Sequence, residues 1–162
     1  MCGIVGLFLK DKSLEPKLGA MLSEMLISLS DRGPDSAGIA IYGAPTGNEA
    51  KITIQSAKPE RDFHGLDTEL AKAIGVPVSV AAKSTHAVVR TKPDKVDEAR
   101  EAIQALRPDI RIMGAGEVVE IYKEVGLPEA VVERFDVRHM TGTHGIGHTR
   151  MATESAVTTM GA

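Results

Sequence analysis

The sequence predicts a mixed α+β fold that carries a small inserted α/β module. Three observations predict it. Residues 3–9 form a short apolar run closed by Lys10-Asp11-Lys12, the pattern of a buried strand. Leu14, Leu18, Met21, Leu22, Met25, Leu26 and Leu29 recur at spacings of three and four, one apolar face of a helix. Further on, a strand-like stretch at 87–91, a helical stretch to Leu106 and a second strand-like stretch at 110–113 read as a β-α-β unit, expected to cross over right-handed.

The elements come in chain order. The helix after the first strand has Ser13 as its expected cap, tolerates Pro16 in its first turn and ends at Gly33-Pro34. Residues 37–42 read as a second strand. Gly43, Pro45, Gly47 and Asn48 make a turn into a third strand at 52–55, the expected hairpin partner of the second. The character of the chain then changes, and residues 58–141 are expected to form the inserted module within a domain made of 1–57 and 142–162. In the module Asp94 and Asp97 are candidate caps for the helix that ends at Leu106. Residues 117–125 and 129–135 read as short helices, the second entered through Pro128. The chain returns through Gly147-His148-Thr149-Arg150-Met151-Ala152-Thr153.

Composition narrows the function classes. Of 162 residues 43% are hydrophobic and only 3% aromatic, with no Trp, so the core is aliphatic. A net charge of −3 offers no electrostatic case for nucleic acid or an anionic membrane. A single cysteine excludes an intrachain disulfide framework and a cysteine zinc cluster. The N-terminal apolar run is short and lacks preceding basic residues, so it is not expected to act as a signal peptide. A soluble cytoplasmic protein is expected.

Three stretches could carry chemistry. Cys2 stands directly after the initiator methionine. Removal of Met1 leaves one residue with an α-amine of pKa about 7.7–8.0 beside a thiol of about 8.5, a base and a nucleophile close to working pH. The alternative is a small apolar residue in a strand. The second stretch, Ser30-Asp31-Arg32-Gly33-Pro34-Asp35-Ser36, sets two acids around an arginine at a helix-to-strand junction, and it reads equally as an ordinary turn. In the third, around Gly147 to Thr153, Arg150 could grip a carboxylate bidentately and Thr153 could add a hydroxyl. His139, His144 and His148 lie near it, but Gly145 and Gly147 work against a helix that would align them on a metal, and no metal is expected.

Taken in order, "CGIVG", "RGPDSAGIA" and "GHTRMAT" resemble the class II glutamine amidotransferases, N-terminal-nucleophile hydrolases that release ammonia from glutamine. The resemblance implies an αββα sandwich. It also implies Cys2 as nucleophile, forming a γ-glutamyl thioester, with its α-amine moving protons. Arg150 is implied to hold the substrate α-carboxylate with help from Thr153, and Arg32 and Gly33 to shape the wall beside Cys2. The long insertion resembles the separate glutaminase subunits of glutamate synthase-like enzymes, including N-methylglutamate synthase. In those the ammonia passes to a flavin- and iron–sulfur-containing synthase subunit; no cofactor is expected in this chain.

The sequence departs from the family in one respect. Members place an Asn-Gly pair after the arginine strand as an oxyanion hole, and an aspartate beyond it. Here the sole asparagine is Asn48, with Glu49 next to it, and the chain runs past Arg150 only to Ala162. The 162 residues are therefore expected to be the front part of a sandwich incomplete at its C-terminus, weak or inactive alone, since one oxyanion donor is worth about 10²- to 10³-fold. Two other readings stay open: a non-catalytic regulatory or assembly module of the same fold, and a different N-terminal-nucleophile amide hydrolase.

Overall fold

A computed structural model describes residues 2–45, 47–152 and 157–159. The chain divides into two compact units, Met1–Ala44 with Ile121–Ala162, and Pro45–Glu120.

The first unit is a sheet with helices on one face. Strand β1 (Gly3–Phe8) leads through a 3-10 turn, Lys12–Lys17, into helix α1 (Leu18–Ile27), and then comes β2 (Ser36–Tyr42). After the second unit, β7 (Val119–Val125), α5 (Pro128–Arg134) and β8 (His144–Arg150) complete it. The sheet order is β1-β8-β2-β7, with β8 antiparallel to both β1 and β2. Leu18, Leu22 and Leu26, one turn apart on α1, are fully buried. They need flat ground beneath them, and β8 supplies it. A Cβ on Gly145 would stand 2.8 Å from the Leu22 side chain, and one on Gly147 2.9 Å from that of Leu26. Ala37, Ile39 and Ile41 of β2 face the same way. The opposite face of the sheet is apolar yet open: Ile4 is 78% exposed, Phe8 68% and Ile146 46%. There the His144 ring stacks on Tyr42 with centroids 4.2 Å apart.

The second unit runs β3 (Ala50–Gln55), α2 (Pro59–Asp62), α3 (Leu66–Ile74), β4 (Ser79–Lys83), β5 (His86–Thr91), α4 (Val96–Leu106) and β6 (Arg111–Gly116). Its sheet order is β4-β5-β3-β6, every neighbouring pair antiparallel. Apart from the single turn α2, this is the β-α-β-β-α-β order of a ferredoxin-like split unit. Ile52 and Ile54 of β3 and Ala87 and Val89 of β5 pack with Leu66, Leu70 and Ile74 of α3 and Ala99 and Ile103 of α4 in one aliphatic core.

Several expectations change. Residues 37–42 and 52–55 are both strands but not a hairpin: β2 lies between β8 and β7, whereas β3 bonds to β5 and β6 in the other sheet. The β-α-β unit is split, with β3 between β5 and β6. Residues 117–125 hold a strand rather than a helix, because β-branched Val119, Ile121 and Val125 with Tyr122 favour extended backbone. Ser13 does not cap α1; Asp11 caps the 3-10 turn that leads into it, its carboxylate accepting from Ser13 N at 2.9 Å. Neither Asp94 nor Asp97 caps α4; Asp97 pairs with Arg100 instead. Against the 58–141 boundary, β3 joins the second unit and α5 belongs to the first.

Candidate functional site

Cys2 is exposed and stands one residue before β1. The pairing of that strand sets its position. Gly3 pairs with Thr149 of β8, and a Cβ on Gly3 would press to 2.8 Å on Leu29. Side chains alternate along a strand, so Cys2 continues the open face of Ile4, Gly6 and Phe8. On β8 that same face carries His148 and Arg150, since Ile4 is the register partner of His148. One further step of the register sets Cys2 opposite Arg150. On the other side of β8, Arg150 pairs with Ser36 at the start of β2. Cys2, adjoining the start of β1, thus lies at the same end of the sheet as the register partners Arg150 and Ser36.

The Arg32-Gly33 segment is brought to the same end. A 3-10 turn, Ser30–Arg32, comes after α1, and Gly33 N donates to the carbonyls of Leu29 and Ser30. Gly33 is wedged against β8: a Cβ there would lie 2.4 Å from Arg150 N and 2.5 Å from the Thr149 carbonyl carbon. The next residues are stitched to the same strand. Pro34 bridges Arg150, Asp35 N donates to Arg150 O at 3.1 Å, and Ala152 N donates to Asp35 Oδ2 at 2.7 Å. Gly33 is buried while Arg32 stays exposed at the rim. Of the residues expected at the site, Cys2, Arg32, Gly33 and Arg150 are therefore gathered at one sheet end; Thr153 and Met1 lie outside the described residues.

Two residues matter more than the sequence indicated. Asp35 reads as a turn acid, yet its carboxylate ties the loop before β2 to the chain leaving β8. His148 reads as one of three neighbouring histidines. The structure lays its ring over Gly38, where a Cβ would meet it at 3.1 Å, and leaves Nδ1 buried without a hydrogen-bond partner among the described residues. Burial, with Lys123 nearby, holds its pKa below the usual imidazole value. The three histidines do not converge. His139 pairs with Asp136, His144 stacks on Tyr42, and no group of three candidate metal ligands occurs among the described residues. Nor is any helix among them long and apolar enough to cross a membrane.

No family model matches the chain. Two curated proteins are similar to it along nearly all of its length. A glutamine amidotransferase-like protein, GlxB, of Rhizobium meliloti (strain 1021) is 68% identical over 162 residues, which is 100% of this chain and 54% of that protein. A putative glutamine amidotransferase of Methanothermobacter thermautotrophicus (strain Delta H) is 32% identical over 170 residues, covering 97% of this chain and 54% of that protein. The chain spans about half the length of the curated relatives it matches.

Proposed function

We propose that the protein is a glutamine amidotransferase of class II, with Cys2 as an N-terminal nucleophile. The observation that carries the reading is one end of the β1-β8-β2 sheet, where the register brings Cys2, Arg150 and the Arg32-Gly33 segment together. The names of the two relatives support glutamine as the substrate.

In this reading Met1 is removed and the freed α-amine takes the thiol proton. The thiolate attacks the side-chain carbonyl carbon of glutamine, and the amine returns a proton as the C–N bond breaks and ammonia leaves. Water then cleaves the thioester to give glutamate and restore the thiol. Arg150, on the same face as Cys2, holds the substrate α-carboxylate by a charge-assisted pair. Arg32 and Gly33 form the adjoining wall, and Thr153 contributes a hydroxyl. The bare apolar face of Ile4, Phe8 and Ile146, opposite the helices, supports placing this sheet as one layer of an αββα sandwich. The ammonia passes to a synthase subunit that carries flavin and iron–sulfur groups, as in N-methylglutamate synthase.

The test is the intact mass of the full-length protein before and after exposure to an electrophilic glutamine analogue. The expected result is loss of one methionine and a single adduct, absent in Cys2→Ala and strongly slowed in Arg150→Ala. A retained Met1, or an adduct rate indifferent to Arg150, refutes the assignment.

A further inference from the structure

A second set of polar residues gathers within Pro45–Glu120. Just beyond β3, the Ser56 hydroxyl accepts from Lys58 N at 2.8 Å and donates to Asp62 Oδ2. Arg61 Nε donates to the other oxygen of that carboxylate at 2.7 Å, and its terminal nitrogen reaches Asp109 at 3.4 Å. These groups form part of the wall of a cavity of about 230 Å³, which Gln55, Lys58 and Arg111 complete. At roughly 30 Å³ for each water in the liquid, this is room for a small solute rather than one trapped solvent molecule.

The polar groups around the cavity fall into two sets. Ser56, Asp62 and Arg61 are committed to one another, with Arg61 shared between Asp62 and Asp109. Gln55, Lys58 and Arg111 are not committed. Gln55 is only 5% exposed, and its side chain hydrogen-bonds to no described residue. Lys58 Nζ and the Arg111 guanidinium make no ion pair with any described residue. Gln55 and Arg111 are register partners across β3 and β6, so their side chains rise from one face of the sheet side by side. The Gln55 amide is not fully enclosed: it opens into the cavity, where it can donate to a ligand. Lys58 and Arg111, both exposed and without an ion pair among the described residues, give a ligand at this cavity its charge.

We propose that this cavity binds a small oxyanion, a carboxylate or phosphate group held between Lys58 and Arg111 with the Gln55 amide donating to it. Arg111 supplies a planar pair of donors, Lys58 a compact charge, and Gln55 the orientation. Asp62 and Asp109 do not compete for these cations, because Arg61 already engages both. The site uses none of the residues assigned to glutamine chemistry, so it stands or falls apart from that assignment.

The test is a titration of the full-length, isotope-labelled protein with inorganic phosphate and, separately, with succinate. The Gln55 side-chain NH2 signals and the Arg111 backbone amide provide the readout. The expected result is saturable shifts at millimolar or lower anion, with affinity about ten-fold weaker or worse in Lys58→Gln and in Arg111→Gln, the scale of one charge-assisted hydrogen bond. Lys72→Gln, an exposed cation on α3 away from the cavity lining, leaves affinity unchanged. Tighter binding of phosphate or of succinate tells which oxyanion the cavity is shaped for. Absence of saturation by either anion at tens of millimolar overturns the proposal. So does binding that Lys58→Gln and Arg111→Gln weaken no more than Lys72→Gln does.

Discussion

Gly33→Ala puts the assembly of the candidate site to a quantitative test. The glycine has an extended φ of −157°, which any residue adopts, so the cost of a side chain there is steric alone. The new methyl would meet Arg150 N at 2.4 Å and the Thr149 carbonyl carbon at 2.5 Å, backbone atoms of the strand between β1 and β2 that cannot turn aside. The loop must back off, and with it go the Asp35 N to Arg150 O bond and the Ala152 N to Asp35 Oδ2 bond. Two hydrogen bonds at about 0.5–1.5 kcal/mol each and about 1 kcal/mol or more of overpacking give a loss of about 2–4 kcal/mol. Urea unfolding monitored by tyrosine emission is the suitable assay, since Tyr42 and Tyr122 are the only tyrosines, no Trp is present, and both belong to the first unit. With a urea m-value of about 2 kcal/mol/M, the midpoint falls by about 1–2 M. Gly6→Ala is the control: a Cβ at Gly6 finds nothing within 4 Å, and its midpoint stays near wild type. Equal midpoints for Gly33→Ala and Gly6→Ala would refute the claim that Gly33 clamps the arginine segment to β8.

Other consequences are open to measurement. Leu70→Ala, in the aliphatic core of the second unit, leaves a cavity there and costs about 2–5 kcal/mol; faster hydrogen exchange at β3 and β5 amides reads it, and unchanged protection contradicts it. The Asp62 carboxylate is held below its usual range chiefly by the hydrogen bond from Arg61, so its contribution is full above an unfolded pKa of about 3.9 and is lost as pH falls through the lower folded value. Asp62→Asn should therefore flatten the acid limb of the stability curve below about pH 4, and a limb as steep as wild type would count against it. For His148 the folded pKa is depressed, so protonation opposes folding and stability declines as pH drops below about 6.5. A ring titration by NMR should give a midpoint under that value, moving upward in Lys123→Met; a midpoint at or above it is the contrary result.

How much of the molecule is legible in the sequence depends on range. Strand β1 and helix α1 announce themselves because their patterns are local: an unbroken apolar run, and leucines one turn apart. Pairing is not local. Nothing in residues 37–55 says that β2 takes β8 as neighbour while β3 turns to β5 and β6, because the partners arrive far along the chain. Helix α3 is absent from the sequence reading although Leu66, Leu70 and Ile74 carry its spacing between Gly65 and Gly75, and β4 is short and largely exposed. At the candidate site Cys2 and Arg150 are visible as residue types, but their register is not. The roles of Asp35 and His148 stay hidden, since a turn acid and a strand histidine look ordinary until their neighbours are in place.

The sheet order holds a lesson in how such a chain tolerates growth. β2 and β7 are adjacent strands, yet β2 ends at Tyr42 and β7 begins at Val119. All of β3 to β6 is thus spliced into the connection between two neighbours. Loop closure rises only with the logarithm of length, about 0.6 kcal/mol per doubling, so even a floppy connection of this size would be affordable. A connection that folds on its own hydrophobic core costs less still, and it offers a surface that can be reshaped without moving any strand that holds Cys2 or Arg150. Replacing it by a tight turn is then a protein-engineering question rather than a disruption of the sheet.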